Sequence, residues 1–283
     1  MTTYEIIPKV LPAHDLKGYV QKIPKIIWQT MKTNRVPVFM KNYADSWTEL
    51  NPEYEYRFYD DDDIIDFIKT DFPDYLEGYK KIKYGASKAD LWRYLVIYKY
   101  GGVYADIDCK CINPLRQWID PEAAYVTQLG TNNDICQWLI ISVPQNPIFL
   151  KAAQKTLQNS EHKSSIASHH GFEFTKNKLV IRENVPLLKF NHAVLGFSGP
   201  PVLQEAAEAC FKDGSFTGIL PFTQIVCVSG AASCQMNGNV KHDCGHEEYK
   251  KALKQLKTHH YNRFASRIKR KFITLFSADI SSK

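Results

Sequence analysis

Residues 85–110 read GASKADLWRYLVIYKYGGVYADIDCK, an apolar-rich helix pattern, a glycine pair, and a short strand pattern closing on Asp106-Ile107-Asp108. Two carboxylates two residues apart, directly after a buried-looking run, repel each other unless something positive lies between them. In an extended strand, side chains two apart project on one side, which predicts a shared face for Asp106 and Asp108. Ligands of open α/β sheets bind beyond the carboxyl ends of strands, so the placement suits a site. Hard carboxylate oxygens suit Mg²⁺ or Mn²⁺, ions that keep coordination positions open for substrate phosphates. A D-x-D pair alone is weak, since surface loops contain it by chance.

Working outward, Gly101-Gly102 permits a tight helix-to-strand turn. The preceding helix is expected to start at Ser87 as N-cap, with Asp90 three residues on and Arg93 on the same face. Residue chemistry leaves two readings of Asp90 and Arg93 open: a capping box with a local ion pair, or ligands to a substrate. Upstream, PKIIWQT (24–30) reads as a first buried strand, 38–50 as a helix, YEYRFYD (54–60) as a second strand, and DDDDIIDFIKTDFP (60–73) as a helix with acids in its first turn. The acid run 60–63 reads as a helix cap rather than a second metal site. Alternating strands and helices predict an α/β domain with a largely parallel sheet. Downstream, YVTQLG (125–130) and QWLIISVP (137–144) resemble strands, a helix runs from Pro147 to about 158, and 159–184 reads as a polar loop or lid. GPPVLQEAAEACF (199–211) is a helix, 223–246 short strands and loops, and the remainder helix.

The chain has 283 residues, 44% hydrophobic and 13% aromatic, enough for a sizeable core. Its net charge of +6 is concentrated late: six Lys or Arg and no acid lie between Lys257 and Lys271. There is no basic stripe of the nucleic-acid kind. Seven cysteines, an odd count, argue against a disulfide framework and for a reducing compartment. With no signal peptide and no apolar stretch of spanning length, the expected setting is cytoplasmic, peripheral on the inner face of a membrane. Residues 1–250 are expected to form one domain and 251–283 a basic amphipathic tail. Tyr261, Phe264, Ile268, Phe272 and Leu275 make its apolar stripe, suited either to an anionic bilayer or to packing on the domain.

Taken together, IPKIIWQT, LNPEYEYRFYDDDD, ASKADLWRYLVIYKYGGVYADID and FSGPPVLQEA resemble the DXD sugar-binding glycosyltransferase family of the yeast Golgi initiating α-1,6-mannosyltransferase, with clostridial glucosylating toxins as more distant relatives. The resemblance implies a GT-A fold, a Rossmann-like mixed sheet flanked by helices, using Mn²⁺ or Mg²⁺ and a nucleotide-diphosphate sugar, with retention at the anomeric carbon. By position, Asp90 and Arg93 would grip donor-sugar hydroxyls. Asp106 would contact ribose and the ion through water, and Asp108 would ligate the ion directly. Trp28, Gln29 and Thr30 would form the nucleobase wall, although Met31 stands where relatives carry an aromatic residue. Gly199 matches a Gly-Pro turn beside the sugar. His242, or His246 if the register shifts, falls where relatives place a histidine near the metal. Zinc held by Cys227, Cys234, His242, Cys244 and His246 fits no standard spacing.

The implied activity is transfer of a hexose to a glycan or lipid-linked hydroxyl in polysaccharide or glycoconjugate synthesis. No carboxylate nucleophile stands out, so a front-face mechanism is expected. Three alternatives stay open: a nucleotide-sugar hydrolase, a toxin-like enzyme modifying a protein, and a non-catalytic module binding through its tail.

Overall fold

The computed structural model describes residues 3–14, 19–127, 135–162, 168–175, 178–186, 197–215, 225–227 and 240–242. Thirteen strands are described. They are β1 (Tyr4–Ile6), β2 (Val10–Leu11), β3 (Ile26–Thr30), β4 (Arg35–Pro37), β5 (Glu55–Tyr59), β6 (Gly102–Ala105), β7 (Cys109–Cys111), β8 (Tyr125–Thr127), β9 (Leu139–Ser142), β10 (Ser168–Thr175), β11 (Lys178–Pro186), β12 (Ile225–Cys227) and β13 (Val240–His242). Six helices accompany them: α1 (Val38–Leu50), α2 (Asp61–Asp71), α3 (Leu76–Lys81), α4 (Gly85–Tyr100), α5 (Pro147–His162) and α6 (Pro200–Lys212).

Seven strands form the main sheet in the order β12-β8-β9-β6-β3-β5-β2. The expected α/β architecture is present, and the sheet is mixed, as the family resemblance implies, rather than largely parallel as the alternation of elements alone suggests. β3 runs parallel to β5 and β6, and β12 parallel to β8, whereas β9 opposes both β6 and β8, and β2 opposes β5. The parallel core β5-β3-β6 puts the carboxyl ends of three strands, at Tyr59, Thr30 and Ala105, on one edge of the sheet. Within 159–184, expected as a loop or lid, α5 instead runs on to His162 and β10 and β11 pair antiparallel.

One face of the sheet is covered by α2, α4 and α5, and the core between them is aromatic. Trp28 stacks on Tyr100 at 5.7 Å and meets Tyr59 edge-on at 5.9 Å, while Trp92 lies 5.1 Å from Tyr59. Such pairs add about 0.5–1.5 kcal/mol each beyond their buried area. α2 starts with a capping box in which Asp60 and Asp63 exchange side-chain and backbone hydrogen bonds, so the acid run is a cap.

The glycine pair is a steric necessity. Gly101 and Gly102 have φ of +64° and +97°, and a Cβ on Gly102 would sit 2.5 Å from the Ile26 carbonyl oxygen. This close approach lets β6 lie against β3 and lets the Trp28 indole donate to the Gly101 carbonyl at 2.9 Å. Cys109, Cys111, Cys136 and Cys210 are buried free thiols. No helix among the described residues is long and apolar enough to cross a membrane. The expected domain boundary after residue 250, the basic tail and His246 lie outside the described residues.

Candidate active site

At the carboxyl end of β6 the chain does not continue extended. Ala105 ends the strand, Ile107 and Asp108 form a turn closed by the Cys109 amide donating to the Asp106 carbonyl at 2.9 Å, and β7 follows. The two acids therefore do not share the face of one strand, as their alternation suggested. They occupy a tight turn in which Asp108 is buried, at 5% exposure, and the Asp106 side chain is the more open at 27%. The turn is pinned from two sides. The Asp106 amide donates to the Trp138 carbonyl at 2.9 Å, and the Gln29 side-chain amide donates to the Asp106 carbonyl at 3.2 Å. The Tyr104 hydroxyl donates to the Asp106 carboxylate.

Arg93 is the positive partner within the protein. Its guanidinium, 5% exposed, lies 3.1 Å from Asp90 and 3.1 Å from Asp106, donates to the Gln137 carbonyl at 2.8 Å, and rests over the Tyr104 ring at 4.4 Å. Burial works against its charge, but Asp106, then Tyr104 and Asp90, hold its pKa above the ordinary arginine value. The Arg93 Nε is buried with no hydrogen-bond partner.

α4 begins at Gly85, not Ser87, and has no side-chain cap. Ser87 is buried inside the helix with an unpartnered hydroxyl, so the capping-box reading of Asp90 is excluded. Asp90 is instead a buried carboxylate that accepts from Arg93, from the Ser198 hydroxyl at 2.6 Å and from the Gln137 amide at 3.2 Å. Burial pushes its pKa up to about 6. Arg93, Ser198 and Gln137 pull it down, and Asp106 adds to the rise.

Trp28 is fully buried with its indole nitrogen committed to Gly101, so it is core and cannot wall a nucleobase. Gln29 is equally buried, held by the Tyr56 hydroxyl at 2.8 Å, and serves the backbone of Asp106. Thr30, at 9% exposure, ends β3 and donates to the Tyr59 carbonyl. Gly199 precedes α6 directly after Ser198, which places its turn beside Asp90. β13 pairs antiparallel with β7, setting the His242 backbone opposite Cys109, next in the chain to Asp108.

The structure thus gathers Asp90, Arg93, Asp106 and Asp108, brings the backbone of His242 to the same turn, and withdraws Trp28. Sequence reading passed over Tyr94, Tyr104, Gln137 and Ser198. Tyr104 had a signal, its place two residues before Asp106, and Ser198 its adjacency to the Gly-Pro turn; Gln137 had none. No three His, Cys, Asp or Glu side chains among the described residues are grouped as a metal cage. Two carboxylates in one turn fit a hard dication that takes its remaining ligands from phosphate and water.

The chain matches the family described as "Glycosyltransferase sugar-binding region containing DXD motif" over residues 37–125, from the end of β4 to the start of β8. Residues 37–125 are similar to that family's sugar-binding region. Asp90, Arg93, Asp106 and Asp108 all fall within it, and the glycosyltransferase class expected from the sequence is the class of this family. A mannosyl phosphorylinositol ceramide synthase of Saccharomyces cerevisiae is 38% identical over 138 residues, 47% of this chain and 34% of the relative. An initiation-specific α-1,6-mannosyltransferase of Candida albicans is 34% identical over 103 residues, 34% of this chain and 27% of the relative. A solved structure titled PaToxG glycosyltransferase is similar with a TM-score of 0.45 at 17% identity, covering 72% of this chain and 75% of that one. The chain spans about a third of the length of the curated relatives it matches.

Proposed function

We propose that the chain is a metal-dependent retaining glycosyltransferase that moves a hexose from a nucleotide-diphosphate sugar to a glycolipid or glycan hydroxyl. The similarity to mannosyltransferases favours mannose, and a relative named for mannosyl phosphorylinositol ceramide favours an inositol phosphoceramide-like acceptor. The observation that carries the reading is the buried array in which one guanidinium bridges Asp90 and Asp106 beside the Asp108 turn.

Asp108, with Asp106, would hold Mn²⁺ or Mg²⁺, whose charge offsets that of a departing diphosphate. Arg93 stays protonated at any working pH and keeps its Nε for a substrate oxygen. Asp90 is ionised above pH about 6 and accepts from a sugar hydroxyl. The acceptor oxygen bonds to the anomeric carbon from the face by which the diphosphate leaves, and its proton passes to the departing phosphate oxygen. Configuration is thereby retained without a carboxylate nucleophile. Gly199 lets the backbone approach the sugar, and β13 pairs with β7, the strand that follows the Asp108 turn.

Calorimetry with Mn²⁺ and a panel of GDP-mannose, UDP-glucose and UDP-galactose tests this. GDP-mannose gives binding heat, and Asp108→Asn removes it. Mannose then appears on inositol phosphoceramide rather than free in solution. Absence of heat with every donor refutes the reading; release of free sugar alone makes the protein a hydrolase. A trapped glycosyl-protein adduct overturns the front-face step.

A further inference from the structure

Three stretches of chain far apart in sequence meet at Asp90. Its Oδ1 receives Arg93 at 3.1 Å and the Gln137 Nε2 at 3.2 Å, and its Oδ2 receives the Ser198 hydroxyl at 2.6 Å. One turn further along α4, the buried Tyr94 hydroxyl lies 2.6 Å from the Gln137 Oε1 and 2.8 Å from the Ser198 carbonyl. The Gln137 carbonyl accepts from Arg93, so one residue touches both members of the Asp90–Arg93 pair. The orientation of the Gln137 amide follows from these partners. Turned over, it would set its oxygen against the Asp90 carboxylate.

A carboxylate has about four lone-pair sites, and three donors occupy those of Asp90. One acceptor site is left over on a group whose every other direction is fixed. We infer that Ser198 and Gln137 are positioning residues of the sugar site, holding the Asp90 carboxylate so that its remaining acceptor meets a donor-sugar hydroxyl, with Tyr94 tying the two together. This rests on the proposed glycosyltransferase function and adds to it the residues that set sugar recognition apart from nucleotide recognition. Neither residue lies in the metal turn, so their effect falls on the sugar and not on the diphosphate.

Comparing Mn²⁺-dependent affinities for GDP and GDP-mannose separates the roles. In the native protein the sugar adds affinity over GDP. Ser198→Ala and Gln137→Leu each reduce the affinity for GDP-mannose about tenfold while the affinity for GDP stays unchanged, and Ser198→Thr, which keeps the hydroxyl, restores it. Should UDP-glucose be the donor the panel selects, the UDP and UDP-glucose pair replaces it. Equal loss for nucleotide and nucleotide sugar, or no loss for either, means that the two residues only brace the fold and overturns the inference with the function intact. A native protein that binds no member of the panel fails at the function itself. If Ser198→Ala does not fold by circular dichroism, the half-buried Gln137 carries the test.

Discussion

Asp90→Asn isolates the cost of burying one charge. In the folded chain Asp90 is surrounded by protein, and its pKa rises from 3.8 to about 6 because burial outweighs the help of Arg93, Ser198 and Gln137. At about 1.4 kcal/mol for each tenfold change in proton affinity, that rise is about 3 kcal/mol. The direction follows from proton counting. Between pH 3.8 and 6 the unfolded chain has lost the proton and the folded chain keeps it, so stability falls as pH rises. The stabilising contribution is complete below about pH 4 and gone above about pH 6. Asparagine has no such titration and fits the same partners: its oxygen accepts from Arg93 and Gln137, and its NH₂ donates to the Ser198 oxygen. Arg93 keeps Asp106.

Urea unfolding of both proteins at half-unit steps from pH 3.5 to 8 gives the stability of each, and the difference between them cancels every other titrating group. The native protein is expected to lose about 3 kcal/mol relative to Asp90→Asn across that range, most of it between pH 4 and 6. Transfer activity runs the opposite way in the native protein, falling tenfold per unit below pH about 6 as Asp90 takes up a proton. A stability difference that does not change with pH would refute the burial argument, and with it the view that Asp90 is held charged at a cost for the sake of the sugar.

Gly102→Ala places a methyl 2.5 Å from the Ile26 carbonyl at a φ of +97°, so a loss of at least about 3 kcal/mol is expected in urea unfolding, with β6 displaced from β3. Trp28→Phe should cost about 1–3 kcal/mol while leaving the affinity for GDP unchanged, because Trp28 is core; a selective loss of nucleotide binding would restore it to the base site. Removing residues 258–283, which carry the basic amphipathic pattern, should abolish flotation with anionic liposomes, and unchanged flotation would mean that the stripe packs on protein instead.

Where a pattern is local, the sequence reading and the structure coincide. Helix 38–50, with Pro37 before it and Asn51-Pro52 after it, is found at those bounds, and the acid run 60–63 caps α2 as its spacing implied. The mixed direction of the sheet is another matter. β9 is a short apolar run, and nothing within it states whether it enters beside β6 parallel or antiparallel. The acid pair misled for a related reason. V-Y-A-D-I-D-C alternates through Cys109, yet once the Asp106 amide has bonded to Trp138 across the β6–β9 ladder the chain turns at Ile107-Asp108, and the Cys109 amide bonds back to the Asp106 carbonyl.

Asp90 shows why a site can be half visible. Ser-x-x-Asp at the start of a helix is the same string whether the serine caps the helix or lies within it, and the two cases differ by where the helix begins. Beginning at Gly85 puts Ser87 inside the first turn and Asp90 against the sheet edge, where its burial depends on partners 47 and 108 residues away. Burial raises the pKa of that carboxylate, and both partners act to lower it. The residues that make Asp90 useful are therefore its neighbours in space, Gln137 and Ser198, which no spacing rule around the D-x-D motif would select. For the same reason the acids of the motif are better read as one corner of a charge array whose guanidinium comes from the helix before them.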